Sequence, residues 1–440
     1  MQNWIKFLTL FLGSFLFAQQ TSFKFDFGTD RTENGFIPIT STSKFDKKIG
    51  YGFMDISGLK SVNNGGNAVT GDFITSDRPF YFSVAIPEGN YNITLNLGDS
   101  KGTSETTVRV ENRRLKLSDV KTKKGEILEK QITVHVKDSI IRNQNGTQIG
   151  IVKLKPRERK YLHWDNLLTI EFNDKAPKVC SVIIQPNKTA KTIYVTGDST
   201  VVDAQYEPWA SWGQMLPYFF VPNEVVIANY AESGETLKAF EDRHRIDKIW
   251  NEIKSGDYLF IQFGHNDQKA GNSTKSGYRK RLKEWILKAK SLGANPILVT
   301  SMNRRVFDEN NKIVNTLDDF PDAMREIAKE EKVDLIDLNT MSKTLFEAMG
   351  PEKAKKAFVH YPANSYPNQP TALADDTHFN TYGAYELAKC VVKSIIDQNL
   401  PLKKYISKNI KNFNPNKPDD VEKFHWPESV FMESLKPDGN

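Results

Sequence analysis

Hydrophobic and polar residues alternate along the first part of the chain, from about Ser22 to Pro186. Residues 80–86 and 91–97 follow this period of two, and the Pro87-Glu-Gly-Asn90 sequence between them is typical of a turn. The same pattern recurs at residues 131–136, 167–172 and 181–184. Many short strands without a helical period predict an all-β sandwich.

The pattern changes after residue 191, where short apolar runs rich in β-branched residues alternate with helical segments. The runs are residues 192–196, 224–228, 258–262, 296–300 and 333–337. Such runs are typical of parallel strands that are covered on both faces. Apolar residues at helical spacing occur in 281–291, 323–330 and 382–396. The second half is therefore predicted to be an α/β domain with a doubly wound, five-stranded parallel sheet.

These patterns predict a division of the chain into two domains and a tail. The β-sandwich domain is expected at residues 20–187 and the α/β domain at residues 191–400. The Pro186-Asn-Lys-Thr-Ala-Lys191 sequence between them is typical of a linker. Residues 401–440 are rich in Pro, Asn and Lys, and we expect them to form an irregular tail packed on the α/β domain.

The first 19 residues have the order of a secretory signal peptide. Lys6 supplies a positive charge, residues 7–17 are apolar, and the small residue Ala18 follows them. This run is shorter than the ~20 residues that a membrane span needs, and no later stretch is apolar enough to cross a bilayer. We expect a secreted or periplasmic protein without membrane insertion after cleavage; an uncleaved anchor is the alternative.

Charge and cysteine content narrow the classes further. The formal net charge of +6 comes from basic residues dispersed among nearly as many acids, so nucleic-acid binding is not indicated. Cys180 and Cys390 fall in different predicted domains, and we expect two buried thiols rather than a disulfide. No spacing resembles a zinc site, and neither a metal nor a cofactor is expected.

Polar groups follow the predicted parallel strands at their carboxyl ends, where ligands bind in open α/β sheets. Ser199 comes directly after the first strand, with Gly197 permitting a tight turn and a helix expected beyond. Asp375 and His378 are three residues apart, which in a helix-like turn places the carboxylate beside the imidazole. Asp376 is a competing partner for this imidazole. Each group alone has an ordinary explanation, because serine and aspartate are common turn and cap residues.

Two further positions supply the donors that acyl transfer needs. Gly234 follows the second strand and can bring a bare backbone N–H close to a ligand. Asn266 follows the third strand and offers a side-chain amide. Acyl transfer requires a nucleophile, a base, a group that orients the base, and donors for the oxyanion. The joint occurrence of all four at strand ends favours a serine esterase.

The order Gly-Asp-Ser199, Gly234, Gly-His-Asn266-Asp and Asp375-x-x-His378 resembles the SGNH hydrolases, also called the GDSL superfamily. The resemblance implies a flavodoxin-like SGNH fold with Ser199 as nucleophile, His378 as base and Asp375 as its orienting group. It also implies an oxyanion hole made by Ser199 N–H, Gly234 N–H and the Asn266 side chain. Thr200 stands where the family motif has Leu, and this difference does not affect a catalytic group.

A narrower resemblance concerns the substrate. The sequences Gly197-Asp-Ser-Thr200, Trp212-Gly-Gln-Met-Leu-Pro217, Gly264-His-Asn-Asp-Gln268 and Asp375-Asp-Thr-His-Phe379 are similar to those of rhamnogalacturonan acetylesterases. The implied function is removal of acetyl groups from pectin, without a cofactor. The chain departs from the family's common Gly-Arg pair at Glu235. Near the start, Phe23-Lys-Phe-Asp-Phe-Gly28 resembles galactose-binding-like jelly-roll domains.

Substrate contacts are harder to predict. Arg304, or its neighbour Arg305, is a candidate for a uronate carboxylate, and His360 lies in a Pro-rich loop that is expected to border the sugar. Trp209 and Trp212 are expected to pack in the core rather than to stack on sugar.

Other functions are compatible with the same residues. The enzyme could act on acetylated xylan, a sialate ester or another acyl ester. In a different class, the chain would be a glycan-binding protein with a degenerate esterase domain. The sandwich domain either binds sugar or braces its neighbour. The expected partner in each case is an acetylated polysaccharide or oligosaccharide.

Overall fold

The computed structural model describes residues 20–29, 32–269, 275–410, 412–432 and 436–438. The predicted signal peptide, residues 1–19, lies outside the described residues. Within the described ranges, no helix has both the length and the apolar character that crossing a membrane requires.

The first domain is built from mostly antiparallel strands, and most of them form two facing sheets. Its strands are β1 Phe23–Gly28, β2 Ile37–Thr40, β3 Tyr51–Phe53, β4 Lys60–Asn63, β5 Asp72–Thr75, β6 Phe80–Ala85, β7 Gly89–Gly98, β8 Ser104–Val110, β9 Arg114–Thr122, β10 Ile127–Val136, β11 Ile140–Arg142, β12 Gln148–Ile151, β13 Leu167–Ala176 and β14 Lys178–Pro186. One sheet has the order β10-β7-β14-β1-β2, with β5 also paired to β14 and β4 paired to β5, and the other has the order β3-β6-β13-β8-β9. Strands β11 and β12 pair only with each other, and β1 and β2 run parallel.

Alternating side chains create the core between these sheets. Along β7, Tyr91, Ile93, Leu95 and Leu97 are buried while the residues between them are more exposed. A strand shows this period because successive side chains point to opposite faces. The turn at 87–88 connects β6 to β7 in the opposite sheet, so the two strands do not form a hairpin. The predicted β-sandwich is confirmed.

The second domain alternates strands and helices. In chain order its elements are β15 Lys191–Thr196, α1 Trp212–Met215, β16 Val225–Asn229, α2 Leu237–Asp242, α3 Arg245–Glu252, β17 Tyr258–Ile261, α4 Lys275–Ser291, β18 Asn295–Val299, α5 Phe320–Glu331, β19 Asp334–Ile336, α6 Leu338–Ala354, β20 Phe358–Tyr361, β21 Leu373–Phe379 and α7 Thr381–Asp397. Short 3₁₀ turns occur at Pro156–Lys160, Leu216–Phe219, Lys355–Ala357, Pro401–Tyr405, Lys408–Ile410 and Val421–Lys423.

A parallel sheet forms the centre of this domain, with the order β16-β15-β17-β18-β19. Helices α1, α6 and α7 pack on one face, and α2, α3, α4 and α5 pack on the other. Ile193 and Val195 of β15 face the first group, whereas Tyr194 faces the second. Burial on both faces explains the near-continuous apolar strands. Among the described residues the sheet has five strands, which confirms the doubly wound fold.

Two local predictions about the site segments are wrong. No helix follows Ser199: the chain turns there, and α1 begins only at Trp212. The Asp198 carboxylate accepts hydrogen bonds from the backbone and hydroxyl of Thr200, which offers this segment an alternative to helical bonding. Asp375 and His378 lie on strand β21 rather than in a helical turn.

The sandwich and α/β domains meet through buried polar groups. The turn between β8 and β9 inserts Asn112 and Arg113 against the segment after Ser199, and so does Arg114, the first residue of β9. Arg114 Nε lies 2.8 Å from Asp203 Oδ2, and Asn112 Nδ2 donates to the Asp203 carbonyl at 3.1 Å. All four side chains are almost fully buried. The buried charges of Arg113 and Arg114 are tolerated in this interface because each is paired with a carboxylate, that of Glu207 and that of Asp203.

The tail contacts both domains. Trp426 Nε1 donates to Glu207 at 2.9 Å, and its ring lies 4.5 Å from the guanidinium of Arg109. Tyr81 and Ser429 share a buried hydrogen bond of 2.8 Å between their hydroxyls. The tail thus spans the junction between the domains.

Both cysteines are buried free thiols, as predicted. Cys180 lies on β14 and Cys390 on α7, so they belong to different cores. Burial raises the pKa of the Cys180 thiol to about 12, which keeps it protonated and unreactive.

The interface predicts a large effect of Arg114→Ala on stability. Removing the guanidinium leaves the buried Asp203 carboxylate without its ionic partner, and such losses cost about 3–5 kcal/mol. We expect a clear fall in the urea midpoint of unfolding. The matched control is Arg78→Ala, which breaks an exposed pair with Asp55, and exposed pairs contribute little to stability because water screens them. Equal midpoints for the two variants would show that the interface pair contributes little.

Candidate active site

Ser199 lies in a tight turn at the carboxyl end of the interior strand β15, which has β16 on one side and β17 on the other. This turn requires glycine at position 197, because a Cβ there would lie 2.5 Å from Val201 Cγ2 and 2.9 Å from the Gln262 carbonyl oxygen. Asp198 is fully buried, and its Oδ1 accepts a 2.9 Å hydrogen bond from Thr200 N. The turn therefore fixes the backbone on both sides of Ser199.

His378 connects Ser199 to Asp375. Its Nε2 lies 2.9 Å from Ser199 Oγ, and its Nδ1 lies 2.7 Å from Asp375 Oδ2. The other carboxylate oxygen, Asp375 Oδ1, accepts the backbone N–H groups of Thr377 and His378 at 2.8 and 3.0 Å. These three side chains lie together as the sequence predicted, but Asp375 and His378 lie on a strand rather than in a helical turn. A bulge in β21 opposite Phe358 and Val359 brings the imidazole over the carboxylate.

The carboxylate of Asp375 is held in its charged form. Burial alone would raise the pKa of Asp375, but the hydrogen bond and charge of His378, together with two backbone N–H donors, lower it to about 2. An ionised Asp375 can only accept, so it selects the His378 tautomer that carries its proton on Nδ1. Nε2 then faces the Ser199 hydroxyl as an acceptor.

Gly234 and Asn266 lie on loops that flank Ser199. They follow β16 and β17, which are the two neighbours of β15 in the sheet. Gly234 has a φ of +75°, a conformation that favours glycine. Asn266 Nδ2 donates to the Glu235 carbonyl at 3.1 Å, which joins the two loops and orients the amide. One of the two amide N–H groups makes this bond, so the amide carries a second donor.

The other polar residues of the third block have structural contacts. His265 is buried with Nδ1 3.6 Å from Asp198 Oδ2, and burial lowers the pKa of its imidazole. Asp267 accepts the backbone N–H of Leu237 at the start of α2 at 3.0 Å. Burial raises the pKa of Asp267 to about 7. These contacts fix the loop that carries Asn266.

The predicted substrate contacts Arg304 and His360 are instead bound to the chain itself. Arg304 donates to the backbone oxygen of Thr316 at 2.8 Å, and His360 Nε2 lies 2.6 Å from Asp376 Oδ1. The same Asp376 oxygen accepts from Arg305 at 2.6 Å. Asp376 therefore does not compete for His378. The two tryptophans are buried as expected, and the Trp209 ring also meets His378 edge-on at 5.8 Å.

A cavity of about 300 Å³ adjoins the Ser199 site. Trp209, which touches His378, and Ser233, which precedes Gly234, form part of its wall. The sandwich domain contributes Arg157, Lys160 and Tyr161, and the tail contributes Lys436, Pro437 and Asp438. Neither Arg304 nor His360 is among the described lining residues. Sequence reasoning missed the contribution of the sandwich domain because Arg157 lies in a charged segment that looks like a solvated loop.

One group of potential metal ligands occurs among the described residues. Glu105, Asp119, Asp174 and His425 bring one ligand atom each within 4.8 Å of one another. The group lies where the sandwich domain meets the tail, and lysine side chains already pair with it. Lys121 Nζ lies 2.8 Å from Asp119, and His425 Nε2 lies 2.8 Å from Asp174. Lys121 therefore compensates part of the negative charge of this cluster.

Comparison with known proteins finds matches for both halves of the chain. Residues 195–384 match the model of the GDSL-like lipase/acylhydrolase family. Residues 23–134 match a beta-agarase/YXIM esterase-like, galactose-binding domain-like family.

Several relatives come from Bacillus subtilis (strain 168). Rhamnogalacturonan acetylesterase RhgT is 42% identical over 217 residues, covering 49% of this chain and 93% of the relative. The uncharacterized esterase YxiM is 27% identical over 395 residues, covering 87% and 93%. The probable rhamnogalacturonan acetylesterase YesY is 34% identical over 225 residues, covering 50% and 99%.

The fold therefore defines an SGNH hydrolase domain preceded by a galactose-binding-like β-sandwich. The chain belongs to the GDSL-like lipase/acylhydrolase family and is a carboxylic-ester hydrolase. The resemblance predicted from the four sequence blocks is confirmed at the level of the family.

The lowered pKa of Asp375 predicts how Asp375→Asn changes stability with pH. A carboxyl group with a lowered pKa stabilises the fold above its ordinary value of 3.8, and the contribution is lost as pH falls to about 2. A shift of this size corresponds to about 2 kcal/mol at neutral pH.

The measurement is the free energy of unfolding between pH 6 and pH 2.5 for the wild type and Asp375→Asn. We expect the difference in the free energy of unfolding between the two proteins to become smaller as the pH falls below 4. Asp77→Asn, at an exposed position, is the matched control. A difference for Asp375→Asn that is constant over the whole range would contradict the ionised pair.

Proposed function

We propose that this hydrolase is a secreted carbohydrate esterase that removes acetyl groups through a covalent acyl-enzyme. The observation that carries the proposal is the hydrogen-bonded series Asp375–His378–Ser199, in which Ser199 follows the interior strand β15. In this series each atom has the partner that nucleophilic catalysis requires.

The first half of the reaction forms the acyl-enzyme. Ser199 Oγ attacks the ester carbonyl while His378 Nε2 takes its proton, giving a tetrahedral oxyanion and an imidazolium stabilised by Asp375. The C–O bond to the sugar then breaks, and the imidazolium gives its proton to the leaving sugar hydroxyl. The products of this half are the acetylated serine and the free alcohol.

The second half releases acetate. A water molecule gives a proton to His378 Nε2 and attacks the acetyl carbonyl, which forms a second tetrahedral oxyanion. Collapse of this species breaks the bond to Ser199 Oγ, which recovers its proton from His378. The enzyme returns to its starting state, with acetic acid formed as acetate and a proton.

Three donors are proposed for the oxyanion: Ser199 N–H, Gly234 N–H and the Asn266 side-chain amide. The loops that carry Gly234 and Asn266 flank β15, and the Asn266–Glu235 hydrogen bond holds the amide in place before substrate arrives. Preorganised donors of this kind contribute roughly 2.7–4 kcal/mol each to the lowering of the barrier.

We propose rhamnogalacturonan, the branched pectin, as the polysaccharide. The support is the 42% identity to a rhamnogalacturonan acetylesterase across 93% of that relative, together with the shared sequence blocks. Arg157, Lys160 and Lys436 line the cavity beside the Ser199 site, and cationic side chains of this kind suit an acidic sugar polymer better than a lipid tail.

The domain boundaries and the location are also proposed from the sequence. A signal peptide at 1–19 would direct the protein to the periplasm or the exterior, where such polymers occur. Residues 20–187 and 191–400 would form the sandwich and hydrolase domains. Residues 401–440 would form a tail that ties the two together, which the contacts of Trp426 and Ser429 support.

Ser199→Ala is predicted to abolish the esterase activity. With no nucleophile, kcat/KM on 4-nitrophenyl acetate should fall by at least about 10³-fold while the fold is unchanged. The double variant Ser199→Ala/His378→Ala should be no slower than the single one, because the two residues act as a unit. Ser291→Ala, at an exposed helix end, is the control. Turnover near the wild-type rate in Ser199→Ala would refute the mechanism.

The proposed substrate is tested by acetate release from a panel of polymers. We expect kcat/KM on acetylated rhamnogalacturonan to exceed that on acetylated xylan by at least about tenfold, a difference of roughly 1.4 kcal/mol in transition-state binding. Chemically deacetylated rhamnogalacturonan is the blank. A preference for xylan would keep the triad but change the polysaccharide.

A further inference from the structure

Arg157 of the sandwich domain is fixed in the wall of the cavity beside Ser199. Its Nε and one terminal nitrogen donate to Glu232 Oε1 at 3.1 and 2.6 Å, and the same nitrogen donates to the Ser233 carbonyl at 3.0 Å. Glu232 is 1% exposed, so this side of the guanidinium is held against the hydrolase domain. The other terminal nitrogen is directed elsewhere.

That second nitrogen binds a carboxylate of the chain itself. It donates to Asp438 Oδ2 in the tail, and the Asp438 side chain is 58% exposed whereas that of Arg157 is 29% exposed. Arg157 thus presents one charged donor, held in a fixed position, to the cavity, and the Asp438 carboxylate accepts a hydrogen bond from it. An arginine held in this way loses little conformational freedom when it binds an anion.

Asp438 lies directly over the proposed oxyanion loop. A Cβ placed on Gly234 would be 2.9 Å from Asp438 Cβ. Lys436, two residues earlier, has its Nζ 3.5 Å from Asp375 Oδ2. The tail segment 436–438 therefore occupies the space beside the serine site, where part of a bound substrate would lie.

We propose that Arg157 forms a carboxylate-binding subsite for a uronate residue of the substrate, and that Asp438 is the competing carboxylate of the chain. This inference rests on the proposed function and deepens it: the substrate class is an acetylated acidic oligosaccharide, and the specificity group comes from the sandwich domain. The tail carboxylate leaves the subsite when the uronate binds.

The location of the subsite follows from three neighbours of Arg157. Ser233, which accepts from Arg157 and precedes Gly234, connects it to the loop next to Ser199, and Tyr161 belongs to the same cavity wall. Lys160, also in the wall, adds a second positive charge. A uronate next to the acetylated sugar would place its carboxylate on the side of the cavity that carries these cations. The acetyl ester of the neighbouring sugar would then lie on the side of Ser199.

Binding to a full-length Ser199→Ala protein tests the subsite without relying on turnover. The ligands are tetragalacturonate and its methyl ester, which has the same sugars but no charge, and the readout is Kd by calorimetry. We expect the free acid to bind at least about tenfold more tightly than the ester. Adding Arg157→Gln should remove this difference.

Arg159→Gln is the matched control, because Arg159 is an exposed arginine of the same turn that is not among the described lining residues. It should keep the preference for the acid. Asp438→Asn should tighten binding of the acid severalfold and leave the ester unchanged, because it removes the competing carboxylate. This exposed tail variant also decides the matter if Arg157→Gln fails to fold.

Equal affinity for acid and ester, equal losses in Arg157→Gln and Arg159→Gln, or unchanged acid binding in Asp438→Asn would each overturn the subsite. Failure of the proposed function gives a different result: the wild-type protein would release no acetate from any acetylated polymer, whatever the Kd values. The two failures are therefore distinguishable.

Discussion

The site depends on the position of Ser199 at the end of the interior strand β15, which is flanked by β16 and β17. Because parallel strands end at the same edge of a sheet, the loops after both neighbours meet the turn that carries Ser199. Gly197 allows this turn to pass between Val201 and the Gln262 carbonyl, where no Cβ fits. The groups that surround the serine therefore come from distant parts of the sequence, and the strand order alone brings them together.

The sandwich domain stabilises the segment that follows Ser199. Arg114 pairs with Asp203, and Arg113 donates to the Trp209 carbonyl at 3.1 Å. Trp209 in turn lies against the His378 ring. Residues 199–211 contain no helix that could hold their own backbone, so buried partners in the other domain fix their course. This connection favours a structural contribution of the sandwich to the hydrolase site over a separate glycan-binding role.

Periodicity and motif order sufficed to predict the parallel sheet, the sandwich and the set of residues at the strand ends. The sequence did not predict how Asp375 reaches His378, because a spacing of three residues fits both a helical turn and a bulged strand. The sequence also did not show that Arg304 donates to another part of the chain or that Arg157 lines the cavity. Which arginine faces a cavity is decided by partners such as Thr316 and Glu232 that are far away in sequence.

The contacts of Arg157 explain why a buried charge network lies behind an open cavity. Glu232 and Glu158 are both buried. Burial, together with repulsion from Glu158, raises the pKa of Glu232. Arg157 and Arg245 compensate these carboxylates, and Arg245 is fully buried whereas Arg157 reaches the cavity. Arg157 therefore combines a fixed position with a positive charge that reaches the cavity, whereas Lys160 is a charge on an exposed side chain.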